Sequence, residues 1–439
     1  MRAGSHLAAF VEAIQRRLAM LPLGSTLAVE AGLAVRNVLR HRRRSALAAG
    51  AVAFGVIAVI LANAFVAWIM WAMRETTIHS QFGHIQVSRK GYLDSGVAEP
   101  FRFLIDEQSP LREELKKLSY VRVLAPRISF SGLLSHGDST VSFVGEGVDP
   151  EREAAMQSYN PVPRAAINIV KGKDLAADDP LGFVLGEGLA ASLGVTVGDK
   201  IVLLANTATG GINAVEGHVN GLFSSISKAF DDSALRLNRS AAHTLLRVSG
   251  DHRLVILLDR TDRTASATAD LEHRFGGRDL EFTPWYELAD FYNKTAELFA
   301  RQTAFVQLII GLIIVLSIAN TMMMSVFERT GEIGTSMALG ARRARILLQF
   351  VLEGLILGVA GGAAGVVAGT LLAQMISAIG VPMPPPPGQS WGYRGEMLVT
   401  GKGLVDAFLL ALATAFLASV YPAWKASRLR IVDALRFNR

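Results

Sequence analysis

The chain has no cysteine among its 439 residues. Disulfide bonds, thiolate zinc sites and cysteine nucleophiles are therefore excluded, because each of them requires a thiol. The nine histidines form no H-x-x-x-H or H-E-x-x-H pair, the spacings that place two metal ligands on one face of a helix. The sequence predicts no metal site and no bound cofactor for this chain.

The phosphate-binding loop G-x-x-x-x-G-K-S/T is also absent, because the pair Gly172-Lys173 is followed by Asp and the pair Gly401-Lys402 by Gly. The chain is therefore not expected to bind ATP in the usual manner by itself. One G-x-S-x-G run occurs at residues 388–392, directly after a proline run. A nucleophile elbow needs a strand before it and a helix after it, so this run is interpreted as a chance match. A catalytic role has little support.

Charge is missing from long stretches of the chain. Residues 45–73 and 303–327 contain no charged side chain, and residues 351–379 and 404–424 contain one acidic residue each, near the start. A bilayer core of ~30 Å is crossed by about 20 helical residues. These runs predict four transmembrane helices rather than four buried core helices. The two acidic residues lie at span ends, where they are expected to reach the interface, so no proton relay is predicted.

The remaining charges are unevenly distributed. Residues 74–301 contain 25 Lys/Arg and 30 Asp/Glu, whereas the rest of the chain contains 19 and 8. The basic residues flank the spans, which favours orientation in a bilayer over nucleic-acid binding. If basic flanks face the cytoplasm, both termini are inside and the large middle segment is outside. The flanking clusters are Arg36, Arg40, Arg42, Arg43 and Arg44, then Arg342, Arg343 and Arg345, then Lys425, Arg428, Arg430, Arg436 and Arg439.

We therefore predict a polytopic α-helical membrane protein with four transmembrane helices and a large α+β extracytoplasmic domain between the first and second. Residues 27–39 have apolar positions at helical spacing, which favours an amphipathic helix at the inner interface; a solvated basic helix is the alternative. The predicted order is a cytoplasmic segment 1–44, span 45–73, outer domain with stalk 74–301, span 302–327, cytoplasmic coupling helix 328–346, span 347–379, outer Pro-rich loop 380–403, span 404–424 and cytoplasmic tail 425–439.

The outer segment alternates strand and helix patterns, which is typical of an α+β domain, here with two lobes and a turn at Gly210-Gly211 near its middle. A helix is predicted with Ser109 as its cap and Pro110 at its first position, and another over residues 264–275. Residues 284–301 predict a helix that continues unbroken into the second span as a stalk. Strands are predicted at residues 84–88, 121–124, 140–144, 200–204 and 254–258.

The third span is rich in glycine, at pairs of positions four residues apart. Such pairs give a flat strip that allows close helix packing and do not by themselves indicate a pore. The glycines are Gly354, Gly358, Gly361, Gly362, Gly365 and Gly369. The loop that follows contains Pro382 and the run of four prolines at residues 384–387, which is stiff and extended.

Residues 328–346 form a short, charged connection that is broken by glycines and lies between two spans. Small residues there allow close docking, and the charges offer contacts to a partner surface; an ordinary connecting loop is the alternative. The motif residues in and around the spans are Glu328-Arg329, Glu332-Ile333-Gly334 and Ala338-Leu339-Gly340-Ala341; Arg36-Asn37-Val38-Leu39-Arg40 with Arg44; and Tyr421-Pro422-Ala423, Ala426-Ser427-Arg428 and Asp433-Ala434-Leu435-Arg436.

These three stretches resemble the FtsX-like permeases of ABC transporters, a group that includes the LolC/LolE proteins and the membrane half of MacB. Within the outer segment, residues 185–199 are similar to the periplasmic core of MacB-like proteins, and residues 83–92 most resemble lipoprotein-releasing members. One departure stands out: Met337 occupies the position of the customary Arg in the coupling segment's R-A-x-G.

The resemblance implies a type VII ABC architecture in the bacterial inner membrane, in which this chain and a second permease, identical or paralogous, sit over a cytoplasmic ATPase dimer. ATP and Mg²⁺ are then used by the ATPase, whose closure pushes on the coupling segment while rigid spans pass the movement outward without a substrate channel. Other implied partners are membrane lipids and a periplasmic adaptor or lipoprotein carrier. The residues expected to contact the ATPase are Glu328, Arg329, Glu332, Ile333, Gly334, Gly340 and Ala341, with Glu332 foremost.

Two functions fit these features. The first is a transporter subunit that releases or exports a lipoprotein or another lipophilic substrate from the outer face of the inner membrane. The second is a transmembrane activator that uses the same movement to switch on an outer partner such as a cell-wall hydrolase. The size of the outer segment favours the first.

Overall fold

A computed structural model describes residues 24–96, 99–162, 168–225, 228–383 and 393–436. The proline run and the G-x-S-x-G run lie outside these residues. The chain divides into two compact units, a membrane unit (Met1–Trp68, Leu298–Val381 and Gly395–Arg439) and an α/β domain (Ile69–Glu297 with Pro382–Arg394).

The helices are α1 Gly24–Arg40, α2 Arg42–Thr77, α3 Tyr92–Ser95, α4 Leu111–Lys116, α5 Pro150–Ser158, α6 Glu187–Leu193, α7 Lys228–Asp231, α8 Arg239–Leu246, α9 Thr264–Phe275, α10 Trp285–Leu288, α11 Asp290–Glu328, α12 Thr330–Ala338, α13 Arg343–Ile379, α14 Gly401–Ser427 and α15 Ile431–Arg436. The strands are β1 Ile85–Arg89, β2 Ile105–Asp106, β3 Val121–His136, β4 Ser139–Val148, β5 Asn168–Gly172, β6 Gly182–Gly186, β7 Lys200–Asn206, β8 Ile212–Ser224, β9 Ala234–Asn238, β10 Gly250–Asp251, β11 Arg253–Leu258, β12 Leu280–Pro284, β13 Val381–Met383 and β14 Tyr393–Gly395.

Four of these helices, α2, α11, α13 and α14, are long and apolar enough to cross a membrane, which confirms the predicted four-span fold. Helix α2 continues through a π-helical turn, Ile78–Phe82, so that 41 residues form one unbroken helix. At 1.5 Å per residue this helix is about 60 Å long, roughly twice the thickness of a hydrocarbon core. It ends at Gly83, whose φ of 64° lies in the left-handed region that favours glycine.

The glycines of α13 lie on two faces rather than one strip. Gly354, Gly358 and Gly362 face α14; a Cβ on Gly358 would lie 2.5 Å from the Cβ of Ala415. Gly361, Gly365 and Gly369 face α2; a Cβ on Gly365 would lie 2.7 Å from the Cβ of Val56. Contacts this short leave no room for a side chain, so the third span packs closely against both the first and the fourth.

The α/β domain is built on one sheet that partly closes on itself. Strand β3 pairs with β4 on one side and with β7 on the other, and the remaining pairs β4–β9, β9–β6, β6–β8 and β8–β7 complete a six-stranded ring. We call this ring the barrel lobe. The first half of β3 instead pairs with β11, which is followed by β1 and β12; these strands form the extension lobe. The two predicted lobes therefore share strand β3.

Each lobe has its own hydrophobic core. In the barrel lobe, apolar side chains of the ring strands, such as Phe143 and Phe183, pack against Leu189 of α6 and Leu245 of α8. In the extension lobe, the sheet is covered by α4 and α9, which contribute residues such as Leu271. The turn at Gly210-Gly211 only joins β7 to β8 and does not separate the lobes.

Two local predictions were wrong. Ser109 does not cap α4 with its side chain, because Pro110 takes the N-cap position and the main-chain oxygen of Ser109 accepts from Arg112 N–H at 3.3 Å. The stalk before the second span is not one helix from residue 284. Pro284 ends a strand, and Ala289 leaves helical geometry (φ −87°, ψ 59°). Ala289 and Trp285 are buried in an apolar cluster with Val255 and Leu257 of β11, so the break lies where the chain packs on the sheet.

Candidate functional site: the coupling helix

Helix α12, Thr330–Ala338, lies within the predicted coupling segment, and we call it the coupling helix. It is shorter than the predicted 328–346, because α11 extends to Glu328 and α13 begins at Arg343. At its start, the Thr330 hydroxyl donates to the carbonyl oxygens of Val326 and Phe327, both at 2.9 Å. After its end, Gly340 adopts a φ of 97°, a conformation that glycine adopts without steric cost.

One face of the coupling helix is buried. Its members recur at the i, i+3, i+4, i+7 spacing of an amphipathic helix: Thr330, Ile333, Gly334 and Met337. Ile333 and Met337 join an apolar cluster with residues of the spans, including Ile346 and Ala426. Met337 is thus an apolar core residue where the family resemblance has an Arg.

The opposite face is exposed. Glu332 keeps 55% of its side chain accessible, and Thr335 and Ala338 lie on the same side. Leu339, which follows the helix, is 85% exposed. Of the residues expected to contact the ATPase, Glu332, Gly340 and Glu328 are exposed and Ala341 is half-buried. The side chain of Arg329 is largely buried, and Ile333 and Gly334 are buried.

The coupling helix is connected by ion pairs to the segment that leads into the first span. Both Nη atoms of Arg44 donate to the two carboxylate oxygens of Glu328. Arg40 Nη1 lies 3.2 Å from Glu332 Oε1. The bidentate pair fixes distance and direction together, whereas the exposed Arg40–Glu332 pair contributes little by itself.

A second, more buried connection joins the coupling helix to the third span. Arg329 Nη1 donates to both oxygens of Glu353, at 2.8 and 3.1 Å, and the guanidinium lies over the ring of Phe350. Asn37 of α1 donates to the same carboxylate at 2.7 Å. Glu353 is 4% exposed and forms a buried pair with Arg329.

Helix α1 is tied in as well. Arg345 of α13 donates to Glu30 of α1 at 2.5 Å, and Ala34 on the same helix is fully buried. Arg36 and Arg40 of this helix are exposed. Helix α1 is therefore amphipathic, with its apolar face packed on the membrane unit.

Sequence reasoning did not identify Asn37, Glu353 or the pairing of Arg44 as parts of this site. The partners lie 284 or more residues apart for the pairs with α1 and the start of α2. The sequence signal that could have identified these pairs was the presence of charged residues at the ends of the spans. A charged side chain in a bilayer is unfavourable unless it has a partner of opposite charge.

Two family matches cover most of the chain. Residues 45–274 match the MacB-like periplasmic core domain, and residues 304–431 match the FtsX-like permease C-terminal family. The first match spans just over half of the 439 residues.

Several known proteins are similar over long stretches. The lipoprotein-releasing system transmembrane protein LolC of Xylella fastidiosa (strain Temecula1) is 24% identical over 337 residues, which cover 71% of this chain and 79% of that protein. The macrolide export ATP-binding/permease protein MacB of Brucella abortus (strain 2308) is 36% identical over 183 residues, 41% of this chain and 25% of that protein.

A crystal structure of the periplasmic region of MacB from Actinobacillus actinomycetemcomitans covers 48% of this chain and 93% of its own, with a TM-score of 0.34 and 15% identity. Together with the four membrane helices, the two family matches show that the chain belongs to the ABC-transporter permeases that combine a MacB-like periplasmic core domain with an FtsX-like permease C-terminal region.

Proposed function

We propose that this chain is the membrane subunit through which a partner ATPase moves the α/β domain on the other side of the bacterial inner membrane. In this arrangement the coupling helix and both termini face the cytoplasm, as the basic flanks of the spans favour. The chain itself does no chemistry, and ATP and Mg²⁺ are used by the ATPase.

The observation that carries this proposal is the set of ion pairs around the coupling helix. Arg44–Glu328 connects the start of α2 to the end of α11, directly before the coupling helix. Arg40–Glu332 connects the coupling helix to the end of α1, and Arg329–Glu353 connects the start of the coupling helix to the third span. A displacement of the coupling helix is therefore passed to the base of α2. Because α2 is helical without interruption to Phe82, it carries displacement along its length, where a flexible segment would absorb it.

The ATPase contact is expected on the exposed face of the coupling helix. Glu332 offers an acidic group to a basic residue of the partner, and Leu339, directly after the end of the helix, offers an exposed apolar side chain. Glu328 and Arg329 act indirectly in this scheme, because their charges are engaged by Arg44 and Glu353. We expect an ATPase dimer to bind two permeases, this chain and a copy or paralogue.

The cargo is expected to be lipophilic. The named relatives are a lipoprotein-releasing protein and a macrolide exporter, and this chain spans most of the former. We therefore propose that the α/β domain handles a lipoprotein or another lipophilic substrate, together with an adaptor or carrier. Activation of an outer enzyme is the other outcome that the test below distinguishes.

The test is to purify the chain with its ATPase in nanodiscs and compare wild type with Glu332→Lys. We expect the variant to insert into the membrane normally. Addition of ATP should no longer increase its release of cargo. Glu272→Lys, the same charge reversal on the exposed surface of α9, is the matched control and should behave as wild type.

Full ATP-dependent release by Glu332→Lys would contradict the assignment of the coupling helix. Lipid-linked cargo that co-purifies with the wild-type complex supports transport. A co-purifying cell-wall hydrolase that ATP activates, without lipid-linked cargo, would replace transport by signalling.

A further inference from the structure

Five charged side chains are buried together in the α/β domain, and we call them the ionic cluster. Arg127 is 1% exposed, and Arg236 and Glu153 are also buried; Glu146 and Arg253 keep less than a fifth of their side chains accessible. Three guanidinium groups face two carboxylates. Burial alone would raise the pKa of Glu146, but the charges of Arg127, Arg253 and Arg236 outweigh it and lower the pKa to about 2.

Arg127 lies on β3, the strand that both lobes share. Its Nε and Nη2 donate to the two oxygens of Glu153 on α5, at 2.7 and 2.9 Å. Its Nη1 donates to the main-chain oxygen of Gln81. Gln81 belongs to the π-helical turn that ends the first-span helix, where carbonyl groups have no further helical partner. Arg127 of β3 thus provides a hydrogen-bond donor to a main-chain carbonyl group at the end of that helix.

The other members extend this connection into each lobe. Arg236 of β9, in the barrel lobe, lies 3.3 Å from Glu146 and 3.2 Å from Glu153. Arg253 of β11, in the extension lobe, donates to Glu146 at 2.8 Å and to Ser129 at 2.7 Å. The end of the first-span helix is therefore linked through directional bonds to both lobes.

Buried ion pairs are poor stabilisers compared with apolar residues of similar volume, so stability alone does not account for five charges at this one place. A guanidinium group is rigid and planar, and its donors hold two acceptors in fixed directions, which an ammonium group does not do. We propose that Arg127 is a positioning residue that fixes the end of the first-span helix to both lobes, so that the ionic cluster passes movement of that helix into the barrel and the extension together. This inference rests on the proposed transmission of movement.

The experiment measures movement within the α/β domain of the complete complex. Nitroxide labels are placed on Asp138→Cys, in the exposed β3–β4 turn, and on Lys294→Cys, on the exposed surface near the start of α11. The absence of native cysteine leaves these as the only labelled sites of the chain. Labelled chain is diluted with unlabelled chain, and the distance between the labels is measured with and without trapped ATP.

Three variants are compared in this background. Arg127→Lys keeps the positive charge but removes the planar guanidinium group that donates two hydrogen bonds to Glu153. Glu153→Gln keeps the shape of the side chain but removes its negative charge, which weakens its hydrogen bonds with Arg127. Arg239→Lys is the matched control, because Arg239 also pairs with a buried carboxylate, Asp251 at 2.7 Å, in the same domain but outside the ionic cluster. ATP hydrolysis and thermal unfolding are recorded for each.

We expect ATP to shift the distance in wild type and in Arg239→Lys, and the shift to be lost in Arg127→Lys and Glu153→Gln while ATP hydrolysis continues. A wild-type shift that persists in both cluster variants overturns this inference and leaves the proposed function intact. No shift in wild type overturns the proposed function itself. Equal loss in Arg239→Lys, or failure of both cluster variants to fold, makes the ionic cluster merely structural and also overturns the inference.

Discussion

Arg329 and Glu353 form a buried ion pair in which Nη1 and Oε1 lie 2.8 Å apart, between the start of the coupling helix and the third span. Their side chains are 11% and 5% exposed. Because Asn37 donates to the same carboxylate, one acidic group joins the coupling helix, the third span and α1. This pair makes the coupling helix part of the membrane unit rather than a free loop.

Removing that carboxylate should destabilise the membrane unit. In Glu353→Gln the guanidinium of Arg329 stays buried without its counter-charge, and loss of one partner of a buried pair costs about 3 kcal/mol or more. We expect a clearly lower thermal unfolding temperature in detergent and weaker coupling of ATP hydrolysis. Asp406→Asn removes an exposed carboxylate of α14 and should match wild type; equal stability of the two variants would refute a structural role for Glu353.

Exchanging the charges of Arg44 and Glu328 should reveal whether their pairing matters for function. Both side chains are partly exposed, so each single reversal, Arg44→Glu or Glu328→Arg, should change the thermal unfolding temperature only slightly. Each should nonetheless lower ATP-dependent release, because the base of α2 loses its connection to the end of α11, which leads into the coupling helix. The double variant should recover release. If the double variant is no better than the singles, the pair does not carry the connection.

A side chain at Gly365 should disrupt the packing of the third span on the first. A Cβ there would lie 2.7 Å from the Cβ of Val56 and 2.8 Å from the carbonyl oxygen of Ala53, so the helices must separate. We expect Gly365→Leu to lower the unfolding temperature and the yield of folded protein. Ala364→Leu, on the exposed side of the same helix, is the control and should be tolerated. Equal tolerance at both positions would contradict the close packing.

The α/β domain should lose stability between pH 6.5 and pH 4 because two buried histidines are neutral in the fold. Burial lowers the pKa of His252 to about 4, and burial together with the charges of His79 and Arg74 lowers the pKa of His84 to about 3. As pH falls below 6.5, the unfolded chain takes up protons that the folded domain does not. The contribution of these histidines to the free energy of unfolding is therefore complete above pH 6.5 and is lost as the pH falls. The loss is roughly 3 kcal/mol per histidine at pH 4.

Thermal unfolding across this range measures the effect. His252 Nδ1 accepts from Ser129 N–H and its Nε2 donates to the Pro100 oxygen, so the neutral ring is fully bonded. His252→Gln should make the pH dependence shallower, whereas His273→Gln, at an exposed position, should leave it unchanged. The same slope in all three proteins would show that buried histidines do not set it.

The number and approximate limits of the spans could be predicted from the sequence because hydrophobic length is a local property. The same holds for α9, whose bounds, Thr264–Phe275, were predicted as observed. The motifs around the coupling helix were sufficient to identify the family, which the comparisons confirm.

Tertiary structure decided what local patterns do not encode. Strand β3 is 16 residues long because it pairs with three different strands, although its local pattern predicted a strand of only residues 121–124. The helix break at Ala289 lies where Trp285 and Ala289 are buried against Val255 and Leu257 of β11, which are distant in sequence. Glycines that looked like one strip divide between two neighbouring helices.

The partners in the ion pairs were likewise decided by tertiary structure. Glu328 and Glu332 were identified as candidate contacts, but their pairing with Arg44 and Arg40 depends on helices that are distant in sequence. The sequence by itself therefore determined the spans and the family, since these depend on composition and short motifs. Only the fold decided which charges meet, because a pair separated by almost 300 residues is brought together by packing and not by spacing along the chain.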